Sequence, residues 1–240
     1  MFKRFVCILA ALGAAPAAHA GADELRMIAP LNQTMPLAGF DANKLSGGIL
    51  KDLGEAIARR LKRRAVFVSV AGDQVDAALS KGKADGICYV RPFWIDGQFD
   101  CSRPLLPDTE LIASHPHMPV PRSLLDLRDR AVGTVAGYRY PRVDQVLGLR
   151  FRRLDAPTME ENLRNVMLGH ARYTVIASST LAYQLKVNKA LNLRPDLTVA
   201  SYIAQCAFAC GGQLPFAEVD KAINGLIDDG SVQQILARYR

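Results

Sequence analysis

Leu45-Ser46-Gly47-Gly48-Ile49-Leu50-Lys51-Asp52-Leu53-Gly54-Glu55-Ala56-Ile57-Ala58-Arg59-Arg60-Leu61 is the stretch whose reading decides the fold. Gly47 and Gly48 permit a tight backbone turn, and Ile49, Leu50, Leu53, Ile57 and Leu61 then recur at helical spacing on one face. Asp52 and Glu55 lie early in this helix, whereas Arg59, Arg60, Lys62, Arg63 and Arg64 lie late, the order a helix dipole favours. The basic run reads as the solvated end of the helix. Just upstream, Met35-Pro36-Leu37 and an Asp41-Ala42-Asn43 turn form an exposed loop with an apolar tip.

Working outward, residues 25–30, 65–70 and 85–89 read as short strands. Asp73 is placed to cap a helix over 74–80, and Gly82 to stop it. Strand, helix, strand, helix, strand is the alternation of a parallel sheet covered by helices, so the predicted fold class is α/β. Residues 111–113 extend as a further strand, ended by His115-Pro116-His117-Met118-Pro119-Val120-Pro121, the best linker candidate in the chain.

A second alternating set begins after that segment. Strands are expected over 131–136, 150–154 and 173–177. Helices are expected over 159–168, opened by a Thr158/Glu161 capping box, and over 179–188. Residues 198–209 read as extended, and two helices over 216–227 and 232–239, parted by Asp229-Gly230, close the chain.

Residues 1–20 read as a secretory signal peptide. Lys3 and Arg4 form the positive start, residues 5–15 the apolar stretch, and Ala18-His19-Ala20 the small-x-small site, with cleavage after Ala20. The apolar run is shorter than the roughly 20 residues that span a bilayer, and Cys7 sits too early to be a lipoprotein acceptor. The expected location is the periplasm, with no anchor. Loss of Lys3 and Arg4 with the leader lowers the net charge from +7 to +5, and neither that charge nor export suits a nucleic-acid binder.

Cys88, Cys101, Cys206 and Cys210 remain in the exported chain, an even number in an oxidising compartment with three possible connectivities. If 203–210 is one strand, Cys206 and Cys210 stand about 13 Å apart, too far to bond. Cys88 ends one expected strand and Cys101 follows the next loop, which makes them the disulfide candidates.

The order of elements over residues 25–240 resembles the family-3 periplasmic solute-binding proteins, the extracytoplasmic receptors of amino-acid ABC transporters and related sensors. Phe99-Asp100-Cys101-Ser102-Arg103-Pro104 is similar to the family's DFS-x-P motif. Leu125-Asp126-Leu127-Arg128 through Gly133 to Gly137 is similar to its DL-x-G-x-x-V-G-x-x-x-G lead into the second lobe. Asp229-Gly230-Ser231 through Ile235 to Tyr239 is similar to its closing DG-x-x-x-x-I-x-x-x-Y. The resemblance implies two α/β lobes, each a mostly parallel sheet flanked by helices, joined by two crossover strands and closing on a ligand by a hinge. Lobe 1 would hold residues 22–112 plus 203–240, and lobe 2 residues 113–202.

The resemblance also implies what the cleft should hold, and here the sequence departs from it. In the amino-acid-binding members an arginine upstream of DFS clamps the ligand carboxylate, a bidentate task suited to guanidinium. Counting back from Cys101 reaches Ile95, and Arg91 lies four residues earlier. The aspartate those members use after a second-lobe strand is replaced by Ser178-Ser179-Thr180. An ordinary α-amino acid is therefore not the expected ligand.

The candidate ligand-binding residues are Met35, Tyr89, Arg91, Phe93, Trp94, Tyr138, Arg139 and Ser178, the last equally able, with Ser179, to cap the following helix. Those loops offer no clear carboxylate or histidine for acid–base catalysis, so a non-enzymatic binding protein is expected, monomeric and without cofactor. Its partner would be an ABC transporter permease or a membrane sensor. The alternatives are a dehydratase-like enzyme on the same scaffold, or a cleft that has lost its ligand and serves protein interaction. His115, His117 and Met118 carry soft donors but lack further ligands, so no metal site is assigned.

Overall fold

The computed structural model describes residues 23–212 and 214–240; the expected leader, residues 1–20, lies outside them. The first half contains β1 (Glu24–Pro30), a hairpin of β2 (Gly39–Asp41) and β3 (Lys44–Gly47), α1 (Ile49–Arg60), β4 (Arg64–Val70), α2 (Val75–Ser80), β5 (Gly86–Val90), β6 (Phe99–Cys101) and β7 (Leu106–Ser114). Next come β8 (Ala131–Val135), α3 (Pro141–Leu147), β9 (Arg152–Ala156), α4 (Met159–Met167), β10 (Tyr173–Ala177) and α5 (Ser178–Val187). The long strand β11 (Arg194–Ala209), then α6 (Phe216–Asp228) and α7 (Ser231–Ala237), complete the described chain.

The strands hydrogen-bond in the order β4-β1-β5-β11-β7-β10-β8-β9, with β6 also paired to β11. In one half β1 runs parallel to β4 and β5; in the other β8 runs parallel to β9 and β10. Joining them is the antiparallel pair β7 and β11, which runs from Arg194 opposite Ser114 to Ala204 opposite Leu106 with register shifts at 195/197 and 198/200. β11 continues past this pair to lie between β5 and β6, so it belongs to both halves. Two lobes joined by two crossing strands result.

Period-2 alternation assigns the faces of each sheet. Leu25, Met27 and Ala29 of β1 pack on Leu53 and Ile57 of α1, while Ile28 between them packs on Val75 and Leu79 of α2. In the other lobe Val135 and Ile176 meet Leu163 and Val166 of α4, while Val132 and Val175 meet Val143 and Leu147 of α3. Each buried aliphatic contributes roughly 1.5–3 kcal/mol.

Gly48 explains the turn before α1. Its φ is +108°, and a Cβ there would stand 2.5 Å from the Leu37 carbonyl oxygen, so this turn admits only glycine. The late charges of α1 are mostly exposed, and two of them, like Asp52 early in the helix, are also paired. Arg60 pairs with Asp229, Arg64 with Glu24, and Asp52 accepts from Arg238 at 3.0 Å and from the Tyr239 hydroxyl at 3.1 Å.

Two expectations need correction. The proline-rich segment 115–121 does not connect the lobes; β7 and β11 do. It is pinned to the second lobe, where the Tyr173 hydroxyl donates to the Pro119 carbonyl at 2.8 Å and Arg194 to that of Met118 at 2.8 Å. The disulfide joins Cys88 to Cys206, not to Cys101. β5 lies against β11 with these two residues directly opposite and their Cα atoms 3.9 Å apart, whereas Cys101 faces Ala207 from the other side of β11. Cys101 and Cys210 are free thiols.

Candidate functional site

A cavity of about 290 Å³ lies between the lobes. Its floor comes from β5, Glu110 of β7, Val175, Ile176 and Ala177 of β10 and Tyr202 of β11. The walls are the segments that leave the parallel strands: Asn32 to Thr34 after β1, Gly72 to Asp76 after β4, Trp94 and Ile95 after β5, and Gly137 to Tyr140 after β8. Outside the carboxyl ends of parallel strands is where open α/β sheets place their ligands.

The lobes touch across this cavity. Asn32 donates through Nδ2 to the Ala136 carbonyl at 2.9 Å, while its own carbonyl accepts from the Met159 N–H at 3.2 Å. Gln184 Nε2 donates to the Met35 carbonyl at 2.8 Å. Arg139 donates to both carboxylate oxygens of Asp96, at 3.0 and 2.5 Å, and its Nη2 stands 3.8 Å from Asp76. Gly137, at φ +80°, lies so near Gly72 that a Cβ would come within 3.1 Å of that backbone.

Five aromatic side chains line the cavity: Tyr89, Trp94, Tyr138, Tyr140 and Tyr202. Trp94 packs edge-on against Tyr202, with centroids 5.1 Å apart, and Tyr89 stands 6.5 Å from Trp94 and 6.3 Å from Tyr202. Tyr89 holds a left-handed backbone, φ +62°, which is uncommon for a non-glycine residue and recurs at functional sites. Its hydroxyl donates to Asp108 at 2.7 Å and lies 2.9 Å from the Tyr202 hydroxyl. Burial pushes the Tyr89, Tyr138, Tyr140 and Tyr202 phenols well up, so all four are neutral donors at physiological pH. Two buried polar atoms in the lining lack a partner among the described residues: Trp94 Nε1, a donor, and Asn32 Oδ1, an acceptor.

The sequence matches no protein-family model, and no curated protein is matched by it. Solved structures do match. An ancestral arginine-binding protein bound to glutamine superposes with a TM-score of 0.76 at 22% identity, over 90% of this chain and 97% of that one. The two-lobed periplasmic-binding-protein fold is shown. An ancestral amino-acid-binding protein, a precursor of cyclohexadienyl dehydratase, gives 0.76 at 20% identity, over 90% and 95% of the two chains. A histidine kinase sensor domain with similarity to periplasmic binding proteins gives 0.73 at 22% identity, again over 90% and 95%.

Within this periplasmic-binding fold, Tyr89, Trp94, Tyr138 and Arg139 line the cavity. Arg91 and Phe93 lie in an adjoining pocket that shares Trp94, Glu110 and Tyr202 with it, the Arg91 guanidinium stacked 4.2 Å over the Phe93 ring. A short turn over Pro92–Trp94 sends Trp94 inward and its neighbours to this side. Met35 does not line the cavity; Gln33, Thr34 and Leu37 beside it do. Ser178 faces the hinge, its hydroxyl donating to Asp108 Oδ1 at 2.8 Å.

The cavity does contain carboxylates, contrary to the reading of its loops. Glu110, Asp73 and Asp76 all border it. Glu110 was missed because it sits in mid-strand on a crossing element rather than on a loop. Burial raises its carboxyl to about 7, with Arg91 pulling it down and Asp144 pushing it up. Asp108, two residues earlier on β7, was missed for the same reason. It gathers donors from Tyr89, Ser178 and Ser179 where the strands cross.

Proposed function

We propose that this chain is a solute-binding receptor that traps a small molecule between its lobes by hinge closure. The observation that carries this reading is the cavity between the lobes, bridged by direct contacts across it and bordered by neutral phenols and three carboxylates. Ligand sites present a few polar groups within apolar walls. The lobes would be residues 22–112 plus 203–240 and residues 113–202, with β7 and β11 as the hinge.

The ligand is not an ordinary α-amino acid. Arg139, the one arginine lining the cavity among the described residues, is held by Asp96, and a carboxylate clamp needs a free guanidinium. Export to the periplasm, cleavage after Ala20, a monomeric state and presentation of the ligand to an ABC transporter or a membrane sensor belong to the same reading. Similarity to a sensor domain as well as to amino-acid-binding proteins supports both kinds of partner. Among the described residues no helix is long and apolar enough to cross a membrane.

A thermal-shift screen against amino acids, amines, organic acids, aromatic acids and copper tests the receptor reading. A ligand that binds only the folded chain raises the melting temperature by mass action. A shift from one chemical class is expected, and no shift from any class would overturn the reading in favour of a protein-interaction role.

One observation favours a second reading. A carboxyl titrating near 7 inside a cleft is suited to general acid–base catalysis, and one structural neighbour is a precursor of a dehydratase. Incubating the protein with any molecule that shifts its melting temperature, and following that molecule by proton NMR, separates the two. A receptor returns it unchanged.

A further inference from the structure

We infer that the ligand is a small organic cation, an amine without a carboxylate of its own, whose ammonium is received by Glu110 inside the aromatic cleft. The inference rests on the receptor reading and narrows it to one chemical class.

Glu110 lies on β7 opposite Ala177 of β10 and Ala200 of β11, so neither cross-strand neighbour covers its carboxylate. Among the described residues it makes no side-chain hydrogen bond and no ion pair. The charged or titratable groups around it are Arg91 just after β5, Arg142 and Asp144 on α3, Tyr140 just before α3 and Tyr202 on β11. Arg91 stacks on Phe93 in the adjoining pocket, which Arg142 also lines, and neither arginine pairs with a carboxylate among the described residues. The cavity thus presents three carboxylates, Glu110, Asp73 and Asp76, against one guanidinium, Arg139, which already serves Asp96.

Such a field attracts cations and repels anions. A ligand carboxylate entering this space would meet three like charges, and the one guanidinium of the cavity, Arg139, is already bound to Asp96, so its burial is costly. An ammonium meets the opposite case. It pairs with Glu110, whose ionised form is disfavoured without a partner, and it lies among the rings of Tyr89, Trp94, Tyr138, Tyr140 and Tyr202, whose faces attract positive charge. At about 290 Å³ the cavity admits only a small molecule.

The test is calorimetric titration of the purified protein with matched pairs: agmatine against arginine, cadaverine against lysine, tyramine against tyrosine, and 3-(4-hydroxyphenyl)propionate as the anionic control. At least one amine is expected to bind about tenfold or more tighter than its amino acid, and the anion not at all. Glu110→Gln, which keeps the side chain's shape, is expected to weaken that amine about tenfold or more. Wild-type affinity for the amine should rise from pH 6 to pH 8 as Glu110 ionises, and the Gln variant should lose this dependence. Tighter binding of an amino acid or the anion, undiminished amine binding by Glu110→Gln, or failure of every amine to bind would each overturn the inference. The receptor reading survives those results if any other class shifts the melting temperature, and falls with it if none does.

Discussion

Arg139, on the loop after β8, grips both carboxylate oxygens of Asp96, on the loop after β5, and so ties one lobe to the other across the cleft mouth. Removing either partner should loosen the link between the lobes. Asp96→Asn and Arg139→Gln are each expected to increase the radius of gyration of the ligand-free protein in small-angle X-ray scattering. The hydrogen bonds from Arg139 hold the Asp96 carboxyl below the usual aspartate range. A depressed carboxyl contributes above its unfolded pKa, so the tie is complete at pH 6 to 8 and is lost as pH falls below about 4. Both partners are exposed, so high salt should also weaken it. An unchanged radius in both variants would show that the tie does not hold the lobes together.

Glu110 gives the opposite pH sign. Its carboxyl stands at about 7 in the folded protein, raised by burial above the roughly 4.3 of an unfolded glutamate. The folded chain therefore binds the proton more tightly, and stability declines as pH rises from about 4 to about 7. The size follows from the shift at about 3 kcal/mol, an order-of-magnitude figure. In urea denaturation without ligand, Glu110→Gln should match wild type near pH 4 and be the more stable of the two at pH 8. A variant less stable than wild type at pH 8 would contradict the burial account.

Cys88 and Cys206 close a loop of 118 residues between the core of the first lobe and the hinge strand. Long loops gain most from cross-linking, and loss of the bond is expected to lower stability by about 2–5 kcal/mol. The double variant Cys88→Ala, Cys206→Ala should show this in denaturant melts. Peptide mapping without reductant should recover Cys88 joined to Cys206, with Cys101 and Cys210 open to alkylation. A Cys88–Cys101 peptide would reverse the strand order assigned here.

Asp108 is the polar centre of the hinge. It accepts from Tyr89 at 2.7 Å, Ser178 at 2.8 Å, the Ser179 hydroxyl at 2.5 Å and the Thr109 N–H at 2.8 Å. Asp108→Ala would leave these donors without their acceptor in a buried place, for an expected loss of about 2–4 kcal/mol. Asp108→Asn should lose less, since one acceptor oxygen remains. Equal stability of Asp108→Ala and wild type would show that water replaces the carboxylate.

Local pattern carried much of the architecture in the sequence. The 45–61 stretch showed α1 through its apolar spacing, and the alternation of strands and helices showed two parallel sheets because each element needs only its own residues to declare its period. The crossing strands were less legible. Leu106–Ser114 mixes Pro107, Asp108 and Glu110 with apolar residues, so its first half reads as loop; only its long-range pairing with β11 makes it a strand. The site shared that limit. Trp94, Tyr138 and Arg139 stand on loops that the order of elements points at the cleft, and Tyr89 sits near the end of β5 beside one of them. Glu110 and Tyr202 enter it through strand pairing across some 90 residues, and the partner of Cys88 was hidden in the same way, because β11 and not β6 lies beside β5.

Trp94 is the chain's single tryptophan, and it lines the cavity with its indole N–H unpartnered. Its emission therefore reports on the cleft without a label. The most direct measurement is a titration of the protein with the amines, amino acids, organic acids and aromatic acids of the screen, read by Trp94 fluorescence. A saturable change with one chemical class is the predicted result. Emission unchanged by every class would contradict the claim that this cleft receives a small molecule.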